Sequence, residues 1–129
     1  MGAPIMRIEP RRQSNDCAVW ALATYLDVPY DAVWQVAVRL DRSKCRNGLH
    51  TRTIRRVAEA LKRPLRRLPP SKITDESYGV LIISDKTDGH AIVIRNGLAF
   101  DTDSTVWDLP SWLSAREAVI EDLLTEEEP

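Results

Sequence analysis

Long apolar runs, cysteines and aromatic residues are all scarce in this 129-residue sequence. The longest uninterrupted apolar stretch runs only from Cys17 to Ala23, whereas a membrane-spanning helix needs about 18 apolar residues or more. The first twelve residues contain no apolar segment of the kind that a signal peptide requires. Two cysteines are too few for a disulfide-stapled secreted domain. We therefore expect a cytoplasmic protein that makes no use of a membrane.

The composition argues against an intrinsically disordered chain. Hydrophobic residues make up 43% of the sequence and charged residues 29%, which is typical of a soluble globular domain. A chain of this length buries roughly two-thirds of its unfolded surface, enough for a core without metal or disulfide support. We expect one domain over residues 1–129, with an extended arm at 1–12 and a frayed acidic tail at 125–129.

Charge is unevenly distributed although the net charge is only −1. Between Arg39 and Arg67 there are eleven Lys or Arg residues and two acids, whereas residues 101–129 contain nine acids and one base. This asymmetry indicates either a basic surface for an acidic partner or two patches that complement each other. The simplest alternative is a solvated helix face. A nucleic-acid partner is not favoured, because no aromatic platform or known binding motif accompanies the basic residues.

Three helices are predicted in the first half of the chain. The stretch from Cys17 to Leu26 is almost wholly apolar and rich in alanine, which predicts a helix buried on every side. Residues 31–41 and a segment beginning at Thr51 show apolar residues at i, i+3, i+4 and i+7, the spacing of an amphipathic helix. Pro64 is expected to end the third helix.

The second half changes to the patterns of a β-sheet. Short β-branched runs at residues 79–83 and 90–95 predict buried strands, and residues 65–68 predict a short edge strand. Near the end, Ser114 and Glu117 have the spacing of a capping box, which predicts a last helix over residues 115–124. Helices followed by an antiparallel sheet make the expected fold class α+β.

Cys17 and His90 lie at positions that suit nucleophilic catalysis. Cys17 begins the buried helix, where the partial positive charge of the helix N-terminus favours the reactive thiolate. His90 opens a strand directly after Gly89 and is a candidate general base and acid for that thiol. A carboxylate beside the imidazole would orient the ring.

A hairpin turn at residues 96–97, with the sequence Asn-Gly, offers His90 two carboxylates. A two-residue turn places Asp103 directly opposite His90 in the pairing of the two strands. Asp101 is then the diagonal neighbour, and residues directly opposite or two apart share one face of a sheet. The register leaves both Asp101 and Asp103 open as the group that orients the ring.

Acyl transfer also needs hydrogen-bond donors for the oxyanion that forms on the substrate. The backbone N–H of Cys17, at the start of its helix, is one candidate. The side-chain amide of Gln13, four residues upstream, is a second candidate, and Asn15 is its substitute.

The run from Gln13 to Leu22 resembles the nucleophile helix of papain-like cysteine peptidases, and is most similar to that of the bacteriocin-processing (double-glycine leader) peptidases. The pattern of that family is a Gln, then Asp-Cys and an apolar helix, later Gly-His opening a strand and an Asp closing the next strand. This sequence has these parts in the same order, and the resemblance covers roughly residues 13–104. Two departures are Ala18, where the family usually has Gly, and a Gln about two residues closer to the Cys than usual.

The resemblance implies a papain-like α+β fold, with the nucleophile helix buried against a small antiparallel sheet. By resemblance Cys17 is the nucleophile, His90 the general base and acid, Asp101 the orienting residue and Gln13 the oxyanion donor. The implied activity is hydrolysis of a peptide or isopeptide bond, or a related thiol acyl transfer. The implied partner is a peptide or protein substrate, and no cofactor or metal is implied.

Other interpretations of these residues compete with this hypothesis. A free cysteine such as Cys17 is also typical of a protein core. A metal site formed by Cys17, Cys45, His50 and His90 lacks the close-pair spacing of zinc sites. A disulfide between Cys17 and Cys45 does not fit a reducing compartment. The main alternative is a catalytically silent binding module on the same fold.

Overall fold

The computed structural model describes residues 17–40, 51–85, 89–102 and 105–126. The helices in this part of the chain are α1 (Cys17–Leu26), α2 (Tyr30–Leu40), α3 (Thr51–Ala60) and α4 (Leu109–Arg116). The strands are β1 (Leu65–Leu68), β2 (Tyr78–Ser84), β3 (Gly89–Arg95), β4 (Leu98–Phe100), β5 (Val106–Asp108) and β6 (Val119–Glu126), and a short 3-10 helix spans Pro70–Lys72. The predicted α+β class is confirmed. No helix within the described ranges is long and apolar enough to cross a membrane.

The six strands form one antiparallel sheet in the order β1-β6-β2-β3-β4-β5. Both faces of this sheet are covered by apolar side chains. Helices α1, α2 and α3 pack on one face, where Val80, Val93 and Leu124 are fully buried. Helix α4 packs on the other face, with Trp112 buried among strand residues such as Ile92. Strands buried on both faces explain the continuous apolar runs in the sequence.

Helix α1 is the centre of the helical layer. Every residue from Ala18 to Leu26 is buried, and the Trp20 side chain is fully covered. The prediction of a helix buried on all sides is confirmed. Cys17 differs from the rest because it is only partly buried at the first position of the helix. The helix packs against β3 and so brings its N-terminal region to the sheet.

The β3–β4 hairpin has the turn and register that the sequence predicts. Asn96 and Gly97 have positive φ angles of 51° and 79°, the backbone conformation that a tight two-residue hairpin turn requires. Ile94 pairs with Ala99 across the turn, and Arg95 pairs with Leu98. This register carries the segment after β4 back toward the start of β3.

The predicted last helix over residues 115–124 is wrong. Helix α4 begins earlier, capped by the Asp108 carboxylate, which accepts a hydrogen bond from the Ser111 backbone N–H. It ends at Glu117, a left-handed residue with φ of 52°. The following segment forms β6, which lies between β1 and β2. Backbone pairing on both sides and burial of Leu123 and Leu124 on opposite faces outweigh the weak local helix preference.

The expected frayed tail also needs correction. Thr125 and Glu126 lie in β6 and pair with β1. The Tyr25 hydroxyl holds this end of the strand, because it accepts a hydrogen bond from the Glu126 backbone N–H at 2.8 Å. Arg63 adds a bidentate ion pair with the Glu126 carboxylate. Residues 127–129 and the predicted arm at 1–12 lie outside the described residues.

Candidate active site

Three elements bring Cys17, His90 and Asp101 together. Cys17 is the first residue of α1, His90 is the second residue of β3, and Asp101 directly follows β4. Helix α1 packs on β3, and the tight hairpin returns β4 alongside β3. The Asp101 carboxylate forms a hydrogen bond with the His90 side chain, and the Cys17 side chain lies close enough to that imidazole to raise its pKa. Residues that are far apart in the sequence therefore lie together around the His90 ring.

The imidazole of His90 is oriented by Asp101. His90 Nε2 lies 2.9 Å from Asp101 Oδ1, and the imidazole side chain is 17% exposed while the carboxylate is 3% exposed. Because Nε2 is engaged by this carboxylate, Nδ1 is the ring nitrogen left for the Cys17 thiol. Asp101 is the diagonal neighbour that the hairpin register predicts. Its backbone N–H donates to the Thr105 carbonyl at 3.1 Å, which fixes the chain directly after β4.

The Asp101 carboxylate is saturated with donors on both oxygens. Oδ1 also accepts the Thr102 backbone N–H at 2.7 Å. Oδ2 accepts the Trp112 indole N–H and an Arg116 guanidinium N–H, both at 2.9 Å. A buried carboxylate stays charged only when hydrogen bonds and cations replace its lost hydration. These four residues, with His90 included, provide that replacement.

The pKa values of His90 and Asp101 shift in opposite directions. Burial by itself raises the pKa of Asp101, but hydrogen bonds from His90, Trp112 and Thr102 outweigh it and hold the pKa well below its usual range. Burial lowers the pKa of His90, but the hydrogen bond to Asp101, the neighbouring Cys17 side chain and the negative charge of Asp101 raise it to about 9. At neutral pH the pair is therefore a carboxylate and an imidazolium. Such divergent pKa values are typical of functional sites.

Sequence reasoning missed Trp112 and Arg116. The Trp112 ring stacks on His90 with centroids 6.1 Å apart, and the Arg116 guanidinium lies 4.9 Å from the Trp112 ring centre. Both belong to α4, whose start was predicted six residues too late. A usable signal was present, because Asp108 followed by Leu-Pro has the form of an N-cap with proline in the first turn. Once α4 is placed correctly, Trp112 and Arg116 lie one turn apart on the same face of the helix.

The remaining predicted site residues lie outside the described ranges. They are Gln13, Asn15, Asp103, Cys45 and His50. The oxyanion role of Gln13 and the alternative orienting role of Asp103 therefore stay predictions. Among the residues that are described, no group of three or more His, Cys, Asp or Glu side chains is arranged to hold a metal ion.

The arrangement has the parts that thiol chemistry requires. A partly buried thiol lies at the N-terminus of a helix, beside a histidine that is itself held by a carboxylate. Loss of the thiol proton leaves a thiolate beside the imidazolium, and the helix N-terminus favours the negative sulfur. The ring can later return the proton to a leaving group.

Comparison with known proteins adds no assignment. No family model matches this sequence. No curated protein matches it either. Any function for the chain has to be argued from the side-chain geometry around Cys17, His90 and Asp101.

Proposed function

We propose that this protein is a cysteine peptidase or a related thiol acyl-transfer hydrolase with a papain-like fold. The observation that carries the proposal is the placement of His90, hydrogen-bonded to Asp101 and next to Cys17, at the junction of α1 and the sheet. A buried structural cysteine does not need a charged partner. A histidine between a thiol and a saturated carboxylate is the arrangement that nucleophilic catalysis needs.

The proposed reaction has two steps. The Cys17 thiolate attacks the substrate carbonyl, and the imidazolium of His90 gives its proton to the departing amine as the carbon–nitrogen bond breaks. The thioester that remains on Cys17 is attacked by water, which passes a proton to His90. The thioester bond then breaks, the acid product leaves, and the thiolate–imidazolium pair is restored.

Asp101 has a positioning role in this proposal. Its Oδ1 holds His90 Nε2 and so directs the other ring nitrogen to the sulfur. Its negative charge stabilises the imidazolium that accompanies the thiolate. The substrate class proposed is a peptide or protein, as in the peptidases that the sequence resembles.

Selective alkylation tests the proposal without a known substrate. In a Cys45→Ser background, iodoacetamide should label Cys17 below the pH at which an ordinary thiol reacts, because a thiolate–imidazolium pair persists there. Adding His90→Ala should slow labelling at that pH by about tenfold or more, because the paired cation is lost. Labelling is measured by intact-protein mass spectrometry, with glutathione as the free-thiol reference.

A turnover assay completes the test. A mixed-sequence fluorogenic peptide library should be cleaved by the wild-type protein and left intact by Cys17→Ala, while Cys45→Ser retains activity. Labelling of Cys17 at the glutathione rate in both backgrounds would refute the thiolate pair. Rapid labelling with no cleavage of any library peptide would favour the catalytically silent binding module.

A further inference from the structure

The arginines of the basic segment fall into two groups in the folded chain. Arg63 and Arg67 are paired with acids of β6. Arg63 Nε and Nη2 lie 2.7 and 2.6 Å from the Glu126 carboxylate oxygens, and Arg67 Nε lies 2.6 Å from Asp122 Oδ1. This part of the charge asymmetry is compensated inside the molecule. It fits the interpretation of two patches that complement each other.

Arg52, Arg55 and Arg56 form the second group. They are exposed and occupy positions i, i+3 and i+4 of α3, so their side chains share one face of the helix. Within the described residues, no carboxylate forms an ion pair with any of the three. Arg55 Nε donates to the Leu65 carbonyl at 3.4 Å, which leaves its two terminal nitrogens for other partners. Like charges this close repel one another unless an anion binds between them.

These arginines line a concave surface between α3 and the first strand. We call it the arginine groove, and its volume is about 240 Å³. Its lining comprises Arg52, Arg55, Arg56, Glu59, Pro64 and Leu65. Leu65 begins β1, which is the outermost strand of the sheet. The groove is therefore basic, with an apolar part beside a sheet edge.

We propose that the arginine groove docks an extended, carboxylate-rich segment of a partner protein. Guanidinium groups bind carboxylates through two parallel hydrogen bonds, and three guanidiniums on one face provide several such sites. The volume suits one or two acidic side chains and is smaller than the pockets that hold organic cofactors. The apolar part and the neighbouring strand edge suit a polypeptide backbone.

The same residues argue against a nucleic acid as the occupant. None of the lining residues is aromatic, so the groove offers no surface on which bases stack. Glu59 also lies in the lining, where its negative charge opposes the regularly spaced phosphates of a nucleic-acid backbone. A polypeptide can place an uncharged residue beside Glu59 and its acids beside the arginines.

The arginine groove is separate from the candidate active site. Strand β1 is three positions away from β3 in the sheet, which corresponds to roughly 14 Å at the usual strand spacing. None of the residues that line the groove is Cys17, His90 or Asp101. The inference therefore does not rest on the proposed thiol chemistry, and a binding assay tests it independently.

The experiment measures binding of a fluorescein-labelled hexaglutamate peptide to the full chain by fluorescence anisotropy at low ionic strength. The double variant Arg52→Gln/Arg56→Gln removes two charges from the groove, and Lys62→Gln/Arg66→Gln removes two exposed charges that do not line it. We expect the groove variant to weaken binding about fivefold or more, because two ion pairs are lost. We expect the control variant to change it by less than about twofold.

A third variant, Arg52→Lys/Arg56→Lys, keeps the charge and removes the planar guanidinium. If this variant binds the peptide with an affinity intermediate between those of the wild type and the Gln variant, the result supports docking through paired hydrogen bonds. Thermal unfolding of each variant confirms that it is folded, since all four substituted positions are exposed. Undetectable peptide binding, or equal weakening by the groove and control variants, would overturn the proposal. Tighter binding of a single-stranded oligonucleotide of equal charge, lost in the groove variant, would replace it with a nucleic-acid site.

Discussion

Asp101 is a buried carboxylate whose two oxygens serve different partners. One oxygen accepts from His90 and the Thr102 backbone, and the other accepts from Trp112 and Arg116. Rotation of the carboxylate would break several hydrogen bonds at once, each to a charged acceptor. The orientation of the imidazole therefore depends on α4, an element that the predicted triad did not include.

Arg116 should tune the basicity of His90 through the shared carboxylate. Among the described residues, the titratable groups that face the imidazole are the Cys17 thiol on α1 and the Asp101 carboxylate after β4, and the Arg116 guanidinium on α4 lies beyond that carboxylate. Replacing Arg116 with Met removes a cation that competes for the Asp101 charge. We expect the pKa of His90 to rise further, by roughly half a pH unit, because the guanidinium is partly exposed and screened.

The measurement is an NMR titration of the His90 ring, assigned with a His50→Gln variant. Arg116→Lys should restore the wild-type titration, because it keeps the cation. A fall in the pKa of His90 after Arg116→Met would show the opposite role, namely that Arg116 mainly holds Asp101 in place beside the ring.

At the scale of secondary-structure elements, β2 and β6 approach each other closely at Gly79. A Cβ atom at this position would lie 2.5 Å from the Leu124 carbonyl oxygen and 2.9 Å from a Leu123 methyl group. Real side chains do not tolerate such contacts, so only glycine allows the two strands to pack at this distance. The close approach lies in the middle of the sheet, where β6 separates β1 from β2.

Gly79→Ala should therefore destabilise the protein. We expect the free energy of unfolding to fall by about 2 kcal/mol, as for overpacking in a rigid core. Gly89→Ala is the matched control, because the nearest atom to its added Cβ lies 3.7 Å away. Urea denaturation of both variants provides the comparison. Equal effects of the two substitutions would show that the contact at Gly79 relaxes without cost.

Some secondary-structure elements can be predicted from the local sequence and others cannot. The buried α1 helix and the Asn96-Gly97 turn follow from composition and backbone preferences within a few residues. β6 contains Glu-Asp-Leu-Leu, a run that suits a helix equally well. It becomes a strand because β1 and β2 pair with it from both sides. Such pairing depends on segments up to 61 residues away, as the pairing of Leu65 with Glu126 illustrates.

For the molecule as a whole, the His90–Asp101 pair links stability to pH. The pKa of His90 is raised from 6.5 to about 9, so its contribution is fully present below 6.5 and is lost as the pH rises through about 9. The pKa of Asp101 is lowered from 3.8, so its contribution is present above 3.8 and is lost as the pH falls through the lower folded-state value. The pair therefore stabilises the fold most between pH 3.8 and pH 6.5.

His90→Gln should make this dependence visible. We expect the difference in unfolding free energy between wild type and variant to be largest between pH 3.8 and 6.5 and to shrink toward pH 9. Chemical denaturation across this range measures the difference. A difference that grows with rising pH would mean that the neutral form of His90 is the one the fold prefers.

The fold class, the buried helix α1 and the β3–β4 hairpin follow from local patterns, because periodicity and turn chemistry act between near neighbours. The same local patterns narrowed the carboxylate that orients the ring to two candidates, Asp101 and Asp103. The folded chain was needed to identify the Trp112 and Arg116 partners of Asp101 and the interior position of β6. It was also needed to tell the arginines that form ion pairs from those that form none within the described residues. These features depend on which distant segments meet, and short-range preferences carry no information about that.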